Sequence, residues 1–171
     1  NYLQEALDKI QNLSSIRVNW HFIGPIQSNK TKAIAENFQW VHSIDRLKIA
    51  QRLSGQRESS AAKLNVCVQV KISQEANKSG VELGETEALC DSIEALPNLQ
   101  LRGLMAIPAA EPDSNSQRIA FRALAQEYFR LKPRYTQLDT LSMGMSNDFE
   151  AAIAEGSTLI RVGTGIFGPR S

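Results

Sequence analysis

Two segments near the end of the chain combine hydroxyl groups with accessible backbone amides, the groups that hold a phosphate. Ser146 precedes Asn147 and Asp148 at the start of a predicted helix, where its hydroxyl lies beside free backbone amides. The Gly-Thr-Gly segment at 163–165 offers amides without large side chains and one more hydroxyl. Together they predict a phosphate site. A helix N-cap and a tight turn use the same residue types, so these two simpler interpretations remain open.

Arg161 lies inside an apolar predicted strand, just before the Gly-Thr-Gly segment. A charged residue in such a run must pair with another group or face a ligand, because burying an isolated charge is costly. Arg161 therefore either faces the predicted anion or forms an internal salt bridge, for which Asp139 is a candidate.

The two histidines, His21 and His42, are too far apart in sequence, with too few other ligand-type residues, to indicate a metal site. Both are interpreted as structural histidines, and His21 is favoured for the pocket because it comes at a strand end. Lys30, Lys71 and Lys78 are expected to be solvated, although Lys71, also at a strand end, could approach an anionic ligand.

Six predicted strands must position these residues. Each is a short run rich in apolar or branched side chains, and helical patterns separate them. The strands are predicted at 17–23, 40–44, 64–72, 99–107, 138–143 and 158–162. The longest helix, at 115–131, is predicted to have an apolar side made of Ile119, Phe121, Leu124, Ala125 and Phe129. Such alternation is typical of a parallel sheet built from right-handed βαβ units.

Two α/β architectures fit this alternation. A doubly wound open sheet usually carries a glycine-rich turn after its first strand, and the Gly24-Pro25 turn does not match that motif. A (β/α)8 barrel needs eight units, of which the chain supplies about six, and the chain starts within a helix. Barrels often bind phosphate after strands seven and eight, which is where Ser146 and residues 163–165 fall if two units precede the chain.

The composition favours one globular domain without nucleic-acid or membrane contacts. The chain has 171 residues, and 19 Lys and Arg against 18 Asp and Glu leave a formal charge of +1, with both signs interspersed. No apolar stretch approaches the roughly 20 residues that span a bilayer, and no signal peptide opens the chain, so we expect a cytoplasmic protein. Cys67 and Cys90 fit no disulfide or metal motif and are expected to be buried free thiols in a reducing compartment.

Five segments resemble a known family: HFIGPIQSNK at 21–30, KSG at 78–80, RGLMAI at 102–107, SMGMSNDFEAAI at 142–153 and GSTLIRVGTGIFGPR at 156–170. With these, the chain closely resembles the YggS/PROSC family of pyridoxal 5′-phosphate (PLP) homeostasis proteins, from residue 1 to residue 170. The resemblance implies a (β/α)8 TIM barrel of the alanine racemase type. Residues 1–171 would form a single PLP-binding domain of about six βα units that lacks its N-terminal part.

The chain departs from the family at the lysine that bonds the cofactor. Family members hold PLP as a Schiff base to a lysine on the first barrel strand, in a segment of VSKTKP type, and an FGENY segment follows at the second strand. This sequence starts at what resembles the Asn-Tyr of the latter, so we expect the lysine upstream of Asn1. No lysine of the chain matches the family position, and we therefore expect the chain as written to bind PLP weakly and non-covalently.

The resemblance implies cofactor contacts for eight residues, and neither a catalytic residue nor a metal ligand among those present. Arg161 would face the pyridine nitrogen of PLP, where a cation discourages protonation of that nitrogen. Ser146, Gly163 and Thr164 would hold the phosphate. Ser142 and Met143 would line the strand end, and Asn1 and His21 would lie beside the ring.

Two functions compete within this resemblance. A homeostasis protein would bind PLP and buffer it or deliver it to PLP-dependent apoenzymes, as a monomer and without established turnover. A PLP-dependent amino-acid racemase would need a second base, yet Tyr2, Tyr128 and Tyr135 fall on helical or loop segments rather than at strand ends. We predict the first function and keep the racemase as the alternative. A phosphosugar barrel without PLP does not agree with the resemblance.

Overall fold

Helices and strands alternate along the chain, as the sequence predicts. The computed structural model describes residues 2–73, 79–111 and 113–168. The strands are β1 (His21–Phe22), β2 (Trp40–Ile44), β3 (Leu64–Lys71), β4 (Val81–Glu82), β5 (Leu99–Met105), β6 (Thr140–Met145) and β7 (Leu159–Arg161). The helices are α1 (Leu3–Asn12), α2 (Thr31–Asn37), α3 (Leu47–Gln56), α4 (Thr86–Glu94), α5 (Ser114–Leu131), α6 (Phe149–Ala154) and α7 (Thr164–Phe167), with 3-10 turns at Ser28–Lys30 and Leu83–Glu85.

The strands form a parallel sheet in the order β1-β2-β3-β5-β6-β7. The two-residue strand β4 pairs with β3 beside this path. The prediction of a parallel α/β fold is confirmed, and the described part of the chain is a half-barrel with six strands along its path. The sequence prediction omits β4, since two residues are too few to show a pattern.

The two faces of the sheet have different roles, because successive residues of a strand point to opposite faces. On the outer face, Val68, Leu104 and Leu141 lie side by side in register and are fully buried. Helices cover this face and complete the core with Ile34, Ile49, Leu53, Ile93, Phe121, Leu124 and Tyr128. The neighbouring residues on the inner face form the row Gln69, Met105 and Ser142. The apolar core therefore lies outside the sheet, and the inner face is left for polar groups.

Several boundaries differ from the predicted ones. The first strand is predicted at 17–23, but β1 contains only residues 21 and 22, because it is an edge strand that pairs with β2 alone. Strand β5 ends at Met105 rather than at 107, and β6 begins at Thr140 rather than at 138. The Gly-Thr-Gly segment, predicted as a loop or turn, leads into the short helix α7.

The apolar side of α5 is narrower than predicted. Its buried residues are Phe121, Leu124, Ala125, Tyr128 and Leu131. The prediction for Ile119 and Phe129 is wrong, since they are 67% and 57% exposed. The buried positions recur every three or four residues, and these two residues lie outside that stripe.

Both cysteines are free and buried, as predicted. Burial raises the pKa of the Cys90 thiol to about 12 and also raises the pKa of Cys67, so both thiols are protonated at neutral pH. In the part of the chain that the structure describes, no helix has the length and apolar character needed to cross a membrane.

Candidate functional site

Two cavities lie at the carboxyl ends of the strands, and both are lined by Arg161 and Gly163. The first, of about 340 Å³, also contacts Ser146, Thr164 and the segment 108–111 that follows β5. The second, of about 440 Å³, is bounded on one side by His21 and His42. Both volumes are typical of small-molecule sites. Residues that the sequence predicts at the ends of three separate strands thus surround one region.

Arg161 is the charged group at the centre of this region. Its Nη1 donates a hydrogen bond to Ser142 Oγ at 2.8 Å, and its Nη2 donates to the carbonyl oxygen of Ala106 at 2.9 Å. Burial lowers the pKa of Arg161 to about 10, so the guanidinium keeps its charge at neutral pH. Its hydrogen-bond acceptors are neutral oxygens, and the Asp148 carboxylate in the wall of the first cavity acts on it only at longer range. The guanidinium can therefore still attract an anionic ligand.

The alternative prediction, an internal salt bridge from Arg161 to Asp139, is wrong. Asp139 lies just before β6, at the opposite end of that strand from the cavities, and its carboxylate pairs with Arg102. The Arg102 guanidinium also lies 4.6 Å above the Trp40 ring and donates to Asn65 Oδ1 at 2.7 Å. The charge of Asp139 is therefore engaged by a different arginine, and among the described residues no carboxylate lies within ion-pair distance of Arg161.

The two histidines, 21 residues apart in sequence, touch each other in the structure. His21 Nδ1 lies 2.9 Å from His42 Nε2, and His42 Nδ1 lies 2.9 Å from Ser142 Oγ. The His21 ring also stacks on Trp40, with ring centroids 5.2 Å apart. Burial, and then the nearby His21 and Arg161, lower the pKa of His42 to about 3, and burial lowers that of His21 as well. Both rings are therefore neutral at neutral pH.

The sequence predicts a purely structural role for His42, but the structure places His42 in the wall of the second cavity. The sequence carries no signal for this placement, because it depends on the register of two adjacent parallel strands: residue 21 pairs with residue 40, on the same face as 42. Among the residues that the structure describes, no group of three or more His, Cys, Asp or Glu side chains is arranged to hold a metal ion.

Ser146 joins the loops that follow β6 and β7. Its Oγ accepts a hydrogen bond from the Gly165 backbone N–H at 3.0 Å, in the first turn of α7. The simpler interpretation of residues 146–148 as a helix N-cap is confirmed in part, since Asp148 is the N-cap residue of α6, whereas the tight turn at 163–165 is wrong because these residues lead into α7. First-turn amides have no acceptor within their own helix, and a Cβ added at Gly163 would meet nothing within 4 Å. A hydroxyl and unobstructed backbone therefore border the first cavity.

Gly144 shapes the loop that carries Ser146, and we expect Gly144→Ala to lower the free energy of unfolding. Its φ of 95° would cost an alanine about 1–2 kcal/mol, and the new Cβ would lie 2.6 Å from the Cβ of Ala152. Chemical denaturation of G144A, A152G and the double variant measures the coupling. The double variant should lose less stability than the sum of the single losses. Strictly additive losses would show that the contact with Ala152 is not a cause.

The remaining predicted site residues lie elsewhere or outside the described residues. Met143 is fully buried in the hydrophobic core, because it follows Ser142 on β6 and so points to the opposite face. Its side chain is therefore not part of either cavity wall. Lys71 forms an ion pair with Glu82, with Nζ and Oε1 3.2 Å apart. Asn1 and Lys78 lie outside the described residues.

Comparison with known families gives a match over the whole chain. The family model described as "Alanine racemase, N-terminal domain" matches residues 1–171. The chain is 57% identical over 170 residues to the "Pyridoxal phosphate homeostasis protein" of Pseudomonas aeruginosa, covering 99% of this chain and 73% of that protein. It is 51% identical over 173 residues to the protein of the same name from Escherichia coli K12, covering 99% and 74%.

A solved structure agrees with these matches. PipY of Synechococcus elongatus, determined without PLP, superimposes with a TM-score of 0.90 at 34% sequence identity, covering 98% of this chain and 80% of that one. PipY with PLP bound superimposes with a TM-score of 0.88, covering 98% and 79%. The fold is thus alanine racemase-like, as the resemblance implied, and the described part of the chain forms a half-barrel. The chain belongs to the family of the alanine racemase N-terminal domain and, within it, to the pyridoxal phosphate homeostasis proteins.

Proposed function

We propose that this protein binds PLP at the carboxyl ends of β6 and β7 and buffers or delivers it, without turnover of its own. The observation that carries the proposal is Arg161, a half-buried cation bound by neutral oxygens and shared by two cavities. Support comes from relatives named pyridoxal phosphate homeostasis protein and from PipY, whose structure is described with PLP bound.

The groups present fit the parts of PLP. An anionic phosphate suits the loop pair made by Ser146 and the first turn of α7, where Gly163 and Thr164 supply backbone amides and a hydroxyl. Arg161 would donate a hydrogen bond to the pyridine nitrogen, and His21 would lie beside the ring, at the wall of the second cavity. Asn1 is a further contact implied by the family resemblance, whereas the side chain of Met143 lies in the core and does not reach the cofactor in this proposal.

The guanidinium of Arg161 also favours cofactor binding over catalysis with the cofactor. PLP supplies an electron sink, which is strongest when its pyridine nitrogen carries a proton. A guanidinium with a pKa of about 10 keeps its own protons at neutral pH and leaves that nitrogen unprotonated. The phenolic oxygens of Tyr128 and Tyr135 are bonded elsewhere, to the Leu138 carbonyl and to Asp91. These arrangements support cofactor buffering over the racemase alternative.

The wider setting of the protein is part of the same proposal. We propose that residues 1–171 belong to one PLP-binding barrel domain and that it acts as a cytoplasmic monomer. The buried free thiols of Cys67 and Cys90 suit a reducing compartment. The partners of this activity would be PLP itself and PLP-dependent apoenzymes that receive it.

A PLP titration followed by borohydride reduction tests the proposal. We expect a saturable change in visible absorbance, and peptide mapping after reduction should find no cofactor adduct on Lys30 or Lys71. Lys71 is held by Glu82, and Lys30 lines neither cavity that contains Arg161. No saturable change would contradict PLP binding, and an adduct on either lysine would place the cofactor elsewhere. Formation of a D-amino acid from its L-enantiomer by the same preparation would favour the racemase.

A further inference from the structure

We infer that His42 is a positioning residue for Arg161, acting through the hydroxyl of Ser142, and that the hydrogen-bonded pair of neutral histidines maintains this arrangement. The inference rests on the proposed function, in which Arg161 contacts the cofactor. His42 itself lies one hydrogen bond further away: its Nδ1 is 2.9 Å from Ser142 Oγ, and that oxygen is 2.8 Å from Arg161 Nη1.

The chain of bonds has one favoured proton order, which follows from what each group can donate. A guanidinium has no acceptor, so Arg161 donates and Ser142 Oγ accepts. The single proton of that hydroxyl is then free to donate to His42 Nδ1. A neutral His42 must therefore carry its own proton on Nε2 and donate it to Nδ1 of His21, whose proton in turn lies on its Nε2.

The opposite order leaves a buried donor without an acceptor. If His42 carried its proton on Nδ1, Ser142 Oγ would accept from both His42 and Arg161, and the hydroxyl proton would need a third partner. Ser142 is fully buried, and its oxygen has only these two side-chain partners among the described residues. An unsatisfied buried donor is costly, so the first order is favoured.

The surroundings of the histidine pair oppose a positive charge on it. Arg161 faces the pair from β7, and Arg102 reaches from β5 over Trp40, the ring on which His21 stacks. Cys67, on β3, is a protonated and therefore neutral thiol, and Ser142, on β6, is uncharged. The carboxylate of Asp139 is already bound by Arg102. Asp148, at the start of α6, acts on Arg161, and its Oδ1 accepts from the Met145 N–H. The charges that act on His42 are those of His21 and Arg161, and both oppose an imidazolium there.

Acidic pH should therefore weaken the hydrogen-bonded chain from His21 through His42 and Ser142 to Arg161. A proton added to His21 goes to Nδ1, the atom that accepts from His42, and the bond can survive only if His42 moves its proton to Nδ1. The Ser142 hydroxyl then loses its acceptor, and its orientation toward Arg161 is no longer fixed. We expect PLP affinity to fall at acidic pH, below the ordinary histidine pKa of about 6.5, because burial lowers the pKa of His21.

Nitrogen-15 NMR of the imidazole rings tests the proton order without PLP. The chain contains two histidines, and H21N and H42N variants assign their signals. At neutral pH both rings should be neutral with the proton on Nε2, and S142A should remove this preference at His42. An Nδ1–H tautomer or a cationic ring at His42 in the unsubstituted protein would overturn the inference, whatever the variants do.

PLP titrations of matched variants test the positioning role. H42L removes the acceptor for Ser142, and we expect about tenfold weaker PLP binding and a flatter pH profile. H42N places an amide oxygen near the Nδ1 position and should restore most of the affinity. Unchanged affinity and pH profile in H42L, with binding lost in R161Q, would refute the positioning role and leave the proposed function intact. Unchanged affinity in both variants would contradict the proposed function itself.

Discussion

Gly103→Ala is expected to lower the free energy of unfolding by at least about 4 kcal/mol, a large fraction of the roughly 5–15 kcal/mol of a typical domain. Gly103 lies in β5 opposite Thr140 of β6. A Cβ at this position would overlap the carbonyl oxygen of Thr140 and lie 2.6 Å from its carbonyl carbon. Backbone atoms of a central strand have no other rotamer to adopt, so β6 would have to move away and take Ser142 with it. Denaturant titration followed by circular dichroism measures the loss.

Gly55→Ala is the matched control for this substitution. Gly55 lies in α3, is exposed, and has no atom within 4 Å of an added Cβ. Alanine is the better helix former, so G55A should be neutral or stabilising by up to about 1 kcal/mol. A loss below about 1 kcal/mol in G103A would show that β5 and β6 separate easily, contrary to the tight approach of their backbones.

Arg161→Gln is expected to weaken PLP binding by about 10- to 100-fold. The substitution removes a charged hydrogen-bond donor, and such bonds contribute about 1.5–3 kcal/mol each. Glutamine is also too short to reach both Ser142 and the Ala106 carbonyl, the two groups that orient the guanidinium. Equilibrium titration with PLP, monitored by absorbance, gives the change in affinity.

Two further variants separate the role of Arg161 from general effects of charge and stability. R17Q removes a positive charge from an exposed position and should leave the affinity unchanged. R161K keeps the charge but lacks the planar fork, and its affinity should fall between those of R161Q and the unsubstituted protein. R161Q removes a desolvated charge but leaves an acceptor unpaired, two effects of opposite sign, so its Tm should fall by only a few degrees and the titration should be run where the variant is folded. An affinity equal to that of R17Q would remove Arg161 from the site.

The sequence predicted those parts of the fold that depend on local pattern. The apolar runs at 64–72 and 40–44 coincide closely with β3 and β2, because interior parallel strands are continuously hydrophobic. The polar residues that follow the strands also converge, since parallel strands end at one edge of the sheet. Arg161 could be identified from the sequence because a charged side chain within an apolar strand must pair with another group or face a ligand.

The parts that the sequence did not predict depend on relations between distant segments. The contact between His21 and His42 requires the register of β1 on β2, and the pairing of Asp139 with Arg102 requires the register of β5 on β6. Helix α7 contains one glycine and follows another, and two glycines so close together are a local pattern that predicts a turn rather than a helix. No local pattern contains this information.

Because the two faces of the sheet have different roles, substitutions on them have different consequences. On β6, Ser142 belongs to the hydrogen-bonded chain of the site, whereas its neighbours Leu141 and Met143 belong to the core. Replacing Ser142 therefore acts first on the ligand site, while the adjacent positions 141 and 143 are restricted to apolar side chains. An insertion or deletion of one residue within β6 would exchange these roles and damage both at once. New ligand preferences can thus arise in this scaffold by single substitutions, but not by shifts of a strand.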